Sequence, residues 1–111
     1  MTSPFENDMF SLVYQAFRYL YPNKECQCQW LPEIKQEDGS PAYGVTTFSD
    51  DGHIFVEVSA SLSVGDAVEV FAHELAHVAV GEAEGHGEEW DKAFNAIFRE
   101  YARLGEELLN G

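Results

Sequence analysis

Residues 63–87 read SVGDAVEVFAHELAHVAVGEAEGHG, and this stretch organises the rest of the chain around it. Ser63 is a preferred N-cap residue, and Asp66 places an acidic group near the positive end of the helix dipole. Gly81 is well suited to end the helix. The residues between them carry an apolar stripe at helical spacing: Val68, Phe71, Ala72, Leu75, Val78 and Ala79. The pattern predicts an amphipathic helix from Ser63 to about Val80.

Two histidines four residues apart, His73 and His77, lie one turn apart on the same face of this helix. One metal ion can bind both imidazoles, and zinc favours imidazole nitrogen at about 2.0–2.1 Å. Glu74 is rotated by about 100° from His73, so its carboxylate can lie beside the metal without binding it. We therefore expect one Zn²⁺ per chain, with His73 and His77 as ligands and Glu74 as the catalytic general base.

A catalytic zinc needs a third protein ligand and an open fourth position, and the favoured third ligand is His86. Gly81 and Gly85 allow the chain to leave the helix and turn back towards the metal. Two carboxylates in the same turn, Glu82 and Glu84, are the alternatives. An imidazole just before an anchored helix is better oriented than an acid in the turn, which favours His86.

Three further residues could take part in chemistry, but each has a more ordinary interpretation. The fourth histidine, His53, follows a predicted hairpin turn and is interpreted as structural or exposed. Tyr43 and Tyr101 could donate a hydroxyl to the oxyanion of a tetrahedral intermediate. Core packing is the favoured interpretation for both tyrosines.

The remaining elements follow from shorter patterns. Ser3, Pro4 and Glu6 form a capping box that predicts the start of an N-terminal helix ending near Leu20. A last helix is predicted after Gly87, with Trp90 and Phe94 packed against the zinc helix. Three strands are predicted by alternating patterns and a turn at Ser49–Gly52; they cover residues 26–31, 43–48 and 53–59.

These elements predict a single α+β domain spanning residues 1–111. A small three-stranded, mainly antiparallel sheet would pack against about three helices, including the zinc-binding helix. Ile54, Val56 and Val58 are expected to face the core, and Cys26 and Cys28 are interpreted as packing residues. The strand from His53 to Ser59 is expected to be exposed and able to pair with substrate backbone.

The composition limits the classes of partner. Twenty acidic residues against six basic ones give a net charge of −14, which repels phosphate backbones and makes nucleic acid an unlikely partner. The sequence has no apolar run long enough to span a membrane and no signal-peptide pattern, so we expect a cytoplasmic protein with reduced cysteines. The expected partner is a peptide or protein substrate, and the oligomeric state is left open.

His73-Glu74-Leu75-Ala76-His77 followed by His86-Gly87-Glu88-Glu89-Trp90 resembles the core of SprT-like and related minimal zincin metallopeptidases. The resemblance covers roughly residues 54–98. It implies a zincin-like fold, with His73, His77 and His86 as zinc ligands and Glu74 as the catalytic base.

These observations favour a zinc-dependent metallohydrolase, and in particular a metallopeptidase that cleaves peptide bonds by Glu-assisted attack of zinc-bound water. Two alternatives stay open. The first is a zinc-stabilised protein of the same fold that binds or regulates a partner without useful turnover. The second is a zinc hydrolase acting on a small non-peptide amide or ester.

Overall fold

A computed structural model of the chain describes residues 9–82 and 85–110, with side chains up to residue 107. The first helix, α1, spans Met9–Leu20 and buries the apolar face that the sequence predicts, including Val13 and Phe17. The predicted capping box at Ser3 to Glu6 lies outside the described residues. The predicted helix end near Leu20 is confirmed.

In the part of the chain that the structure describes, five strands follow α1, and they form two sheets. The strands are β1 (Gln27–Leu31), β2 (Ile34–Lys35), β3 (Pro41–Ala42), β4 (Gly44–Phe48) and β5 (Ile54–Ser59). A three-stranded sheet has the order β1-β5-β4, while β2 and β3 pair with each other in a two-stranded sheet that the sequence did not predict.

The larger sheet is mixed, so the expectation of a mainly antiparallel sheet is wrong. β4 and β5 form the predicted antiparallel hairpin, but β1 pairs in parallel with β5. Parallel strands need a long connection, and the segment between β1 and β5 is long enough because it contains the small sheet and β4.

The position of β5 also corrects the expected substrate strand. β5 lies in the centre of the sheet and pairs on both sides, so its backbone is not exposed. Its side chains Val56 and Val58 are buried as predicted. Within the β4–β5 hairpin, the strand that lies at the edge of the sheet is β4.

Two long helices complete the chain. α2 spans Val64–Val80, with Ser63 as the predicted N-cap accepting a hydrogen bond from the backbone N–H of Asp66 (3.3 Å). Gly81 ends α2 with φ of 91°, as predicted. α3 spans Glu88–Asn110 and begins just after Gly87.

The core lies where α1, α2 and α3 pack on one another and α2 packs on the sheet. Phe17 of α1, Leu75 of α2 and Ile97 of α3 are fully buried there. Cys26 and Cys28 are half-buried at the edge of this core, with their Sγ atoms 3.7 Å apart, in keeping with a packing role. None of the described helices combines the length and the apolar character that crossing a membrane requires.

Candidate metal centre

Three imidazoles meet at one point beside the exposed face of α2. The Nε2 atom of His86 lies 2.9 Å from Nε2 of His77 and 3.1 Å from Nε2 of His73. The ligand atoms of all three residues lie within 4.8 Å of one another. The structure therefore brings together the three histidines that the sequence selects as metal ligands.

The chemistry of this donor set fits a metal ion. Two nitrogens at about 2.05 Å from one tetrahedral zinc lie about 3.3 Å apart, close to the two observed separations. Hydrogen bonding alone accounts poorly for the cluster, because Nε2 of a neutral His86 carries either one proton or one lone pair and faces two other Nε2 atoms. A shared cation gives the three lone pairs one partner.

The electrostatics of the cluster also suit metal binding. Burial lowers the pKa of His73, and the charge of a protonated His86 lowers it further. The same two causes, together with His73, lower the pKa of His77 to about 4. Both shifts favour the neutral imidazole, which is the form that binds a metal.

The turn after α2 brings His86 back to the helix. Gly81 and Gly85 both have positive φ, 91° and 61°, a backbone conformation that glycine adopts without steric cost. Of the alternative ligands, Glu84 lies outside the described residues. Glu82 is described, is exposed, and does not belong to the histidine cluster.

Trp90 of α3 supports all three imidazoles. Its ring centroid lies 4.7 Å from that of His73, 5.6 Å from His77 and 4.9 Å from His86. The indole N–H donates to the backbone carbonyl of His73 (3.3 Å), and the indole is stacked on the ring of Phe94. This confirms that Trp90 packs against α2, and it ties the start of α3 to the cluster.

Glu74 lies beside the cluster and is 7% exposed. Its Oε2 is 3.9 Å from Nε2 of His73, while its Oε1 accepts a hydrogen bond from the hydroxyl of Thr46 (2.8 Å). Burial raises the pKa of the Glu74 carboxyl, and the Thr46 hydrogen bond opposes that shift. The carboxylate thus has one oxygen held by β4 and the other turned towards the histidines.

The edge strand β4 contributes two residues that the sequence analysis missed. Besides Thr46, Gly44 lies so close to α2 that a Cβ built on it would be 2.6 Å from Cγ1 of Val70 and 3.0 Å from Oε2 of Glu74. Their spacing of two places both on the face of β4 that meets α2. The spacing of Gly44 and Thr46 is visible in the sequence, but the sequence does not show that this face of β4 packs against α2.

The three other candidate residues have ordinary surroundings. His53 is exposed and pairs with Asp51 (2.9 Å), in line with its structural interpretation. Tyr101 packs against the core and the ring of Phe98, as expected. The expected core-packing role of Tyr43 is wrong, because this residue lies immediately before β4 and is 54% exposed.

Comparisons of the chain with protein-family models, with curated proteins and with solved structures give no match, so the resemblance to minimal zincins rests on the residues themselves.

Proposed function

We propose that this protein is a zinc-dependent hydrolase that cleaves peptide bonds, with His73, His77 and His86 as the metal ligands and Glu74 as the general base. One observation carries the proposal. The Glu74 carboxylate lies next to the three imidazoles but is held by Thr46, so an acid that could accept a proton is close to the site without being one of its donors. A purely structural zinc site has four protein ligands and no need of such a base.

A zinc ion in this site would supply Lewis acidity, which lowers the pKa of a coordinated water and polarises a carbonyl group. Oε2 of Glu74 faces the cluster and can accept the proton of the attacking water, then deliver it to the leaving nitrogen. Burial, by raising the pKa of this carboxyl, brings its proton affinity closer to that of a base working near neutral pH. Thr46 keeps the other oxygen engaged during both transfers.

Among the described strands, β4 pairs on one side only, and its other edge supports a peptide as the substrate. In the β4–β5 ladder, residue pairs that are joined by backbone hydrogen bonds alternate with pairs that are not. Tyr43 and Ser59 form a hydrogen-bonded pair, in which the backbone N–H of Ser59 donates to the carbonyl of Tyr43 (2.9 Å). Gly44, Thr46 and Phe48 therefore direct their backbone groups away from β5. A peptide adding to this edge would lie beside the Glu74 carboxylate, which both Gly44 and Thr46 approach. Main-chain pairing would accept many peptide sequences.

The decisive experiment compares the parent protein with Glu74→Gln on a library of fluorescence-quenched peptides, with zinc content measured on both. Glutamine keeps the shape of the side chain but cannot accept the proton. We expect zinc-dependent cleavage by the parent and a fall in kcat of about 10²–10⁴ in the variant, with zinc content unchanged.

Three other results would contradict the proposal. Full activity of Glu74→Gln would exclude the proposed base. A parent protein that holds one zinc but cleaves no peptide would favour the zinc-stabilised binding protein, and cleavage of small esters or amides alone would favour a non-peptide hydrolase.

A further inference from the structure

We infer that Thr46 is a positioning residue that keeps Glu74 as a base and prevents it from becoming a fourth ligand of the metal. The inference rests on the proposed function and concerns the same site. It assigns to the edge strand β4 a role in the chemistry in addition to any contact with substrate.

The hydrogen bond from Thr46 joins two residues that are 28 positions apart in the chain. Oγ1 of Thr46 lies 2.8 Å from Oε1 of Glu74 and 3.2 Å from its backbone carbonyl oxygen. The hydroxyl thus contacts both the backbone and the carboxylate of the same helical residue. This double contact fixes the carboxylate relative to α2, the helix that also carries His73 and His77.

The backbone at Gly44 limits the space on the other side of the Glu74 carboxylate. Gly44 approaches the side chain of Glu74 so closely that even a methyl group would meet Cγ and Oε2 at 3.0 Å. A buried carboxylate needs partners for both oxygens, and Thr46 is the partner of Oε1. If that hydroxyl is lost, the carboxylate would gain most by turning towards a cation held by the three histidines. Oε2 already lies 3.9 Å from Nε2 of His73, so the carboxylate is close enough to the imidazoles to compete as a ligand of an ion held there.

A site with three histidines and one carboxylate would have four protein ligands, the number typical of structural zinc sites. It would bind zinc firmly while losing both the base and the open position. Thr46 therefore separates a catalytic from a structural metal site built from the same ligands.

The test uses Thr46→Val, which replaces the hydroxyl with a methyl group of similar size. The protein is loaded with Co²⁺ or Zn²⁺, and acetohydroxamate is titrated as a probe of the open position, followed by the visible bands of the cobalt form. We expect the variant to retain its metal, to show altered cobalt bands before the probe is added, and to bind acetohydroxamate about 10–100-fold more weakly. Its kcat should fall by a similar factor with little change in KM.

Three further variants separate positioning from damage to the fold. Thr46→Ser keeps the hydroxyl and should restore both the cobalt bands and probe binding. The double variant Thr46→Val/Glu74→Gln should recover probe binding, because a neutral amide is a poor zinc ligand. Thr47→Val, on the exposed face of the same strand, is the matched control and should behave as the parent.

Parental cobalt bands and probe affinity in Thr46→Val would overturn the inference and leave the proposed function intact. A loss in Thr46→Val that the double variant does not reverse would also overturn it, since the effect would not pass through Glu74. A parent protein that binds metal but neither acetohydroxamate nor peptide would overturn both proposals, because the metal would then have no open position.

Discussion

His86 is the residue on which the candidate metal site depends most, because His73 and His77 both belong to α2 and His86 lies outside it. It is held by the turn at Gly85 and by the indole of Trp90, and its Nε2 faces both other imidazoles. The competing carboxylate of Glu82 is exposed and outside the cluster. The choice between these residues was open in the sequence, and the geometry favours His86.

We predict that His86→Ala will weaken zinc binding strongly, while Glu82→Ala will leave it close to that of the parent. Removing one of three ligands removes a bond to the metal itself, so the loss should exceed the 10–100-fold that changes around the ligands typically cause. Competition with a chromogenic zinc chelator measures both affinities. Loss of zinc in Glu82→Ala with retention in His86→Ala would reverse the assignment.

Gly44 is the second residue whose identity is set by the site. Its missing side chain lets β4 approach Val70 and Glu74 more closely than any other residue would allow. The contact is with side chains of α2 that are themselves packed, so a methyl group cannot be accommodated without a shift of the strand.

We predict that Gly44→Ala will lower the free energy of unfolding by about 1–3 kcal/mol, in line with overpacking of a filled site. Activity should fall as well, because the shift separates Thr46 from Glu74. The matched control is Gly65→Ala in the first turn of α2, where an added Cβ meets no atom within 4 Å. This control should be neutral or stabilising by up to about 1 kcal/mol, since alanine is the better helix former. Urea unfolding of both variants, with metal removed, decides between these outcomes.

At the scale of the elements, α3 supports the histidine cluster. Trp90, in its first turn, is 8% exposed, contacts all three imidazoles and donates to the carbonyl of His73. Further along the helix, Phe98 is 37% exposed and contacts Phe94 and Tyr101 at the margin of the core. We therefore expect stability and metal affinity to be coupled through the start of α3.

We predict that Trp90→Ala will destabilise the metal-free protein by about 3–5 kcal/mol, the usual cost of truncating a large buried aromatic residue. Zinc affinity should fall at the same time. Phe98→Ala removes an aromatic ring from the same helix and should cost less, with zinc affinity retained. A Trp90→Ala protein that unfolds at the same urea concentration as the parent would contradict the packing described for α3.

At the scale of the whole molecule, a bound metal would add a link between two helical segments that already pack on each other. His73 and His77 belong to α2, and His86 lies immediately before α3. The net charge of −14 adds self-repulsion to the folded state, which makes any additional link between elements more important for stability. Zinc binding and folding should therefore be linked.

We predict that removal of zinc with a chelator will lower the Tm of the parent by on the order of 10 °C. A ligand present at about 100 times its Kd contributes about 2.7 kcal/mol, and about 1 kcal/mol corresponds to 4–8 °C for a domain of this size. His73→Ala should have a lower Tm than the zinc-bound parent and should not respond to the chelator. Equal Tm values for the parent with and without zinc would show that the metal does not bind the folded state preferentially.

The sequence by itself determined the extent of α2 and the pairing of His73 with His77, and it favoured His86 as their partner. Ser63 and Gly81 mark the ends of α2, and the four-residue spacing of His73 and His77 places both on one face. These signals operate within a few residues, because caps, glycine turns and the helical period depend on neighbours along the chain. His86 was within reach of the same reasoning because a short glycine turn connects it to α2.

The tertiary structure decided the strand order and the environment of Glu74. The parallel pairing of β1 with β5, which places β5 in the centre and β4 at the edge, joins segments far apart in the chain. The hydrogen bond from Thr46 to Glu74 likewise spans 28 residues. An alternating strand pattern shows which residues share a face, but it does not show which strand lies beside it or which helix covers it. Those contacts depend on how the apolar faces of all the elements are buried together, and this is why Thr46 and Gly44 emerged from the fold and not from the sequence.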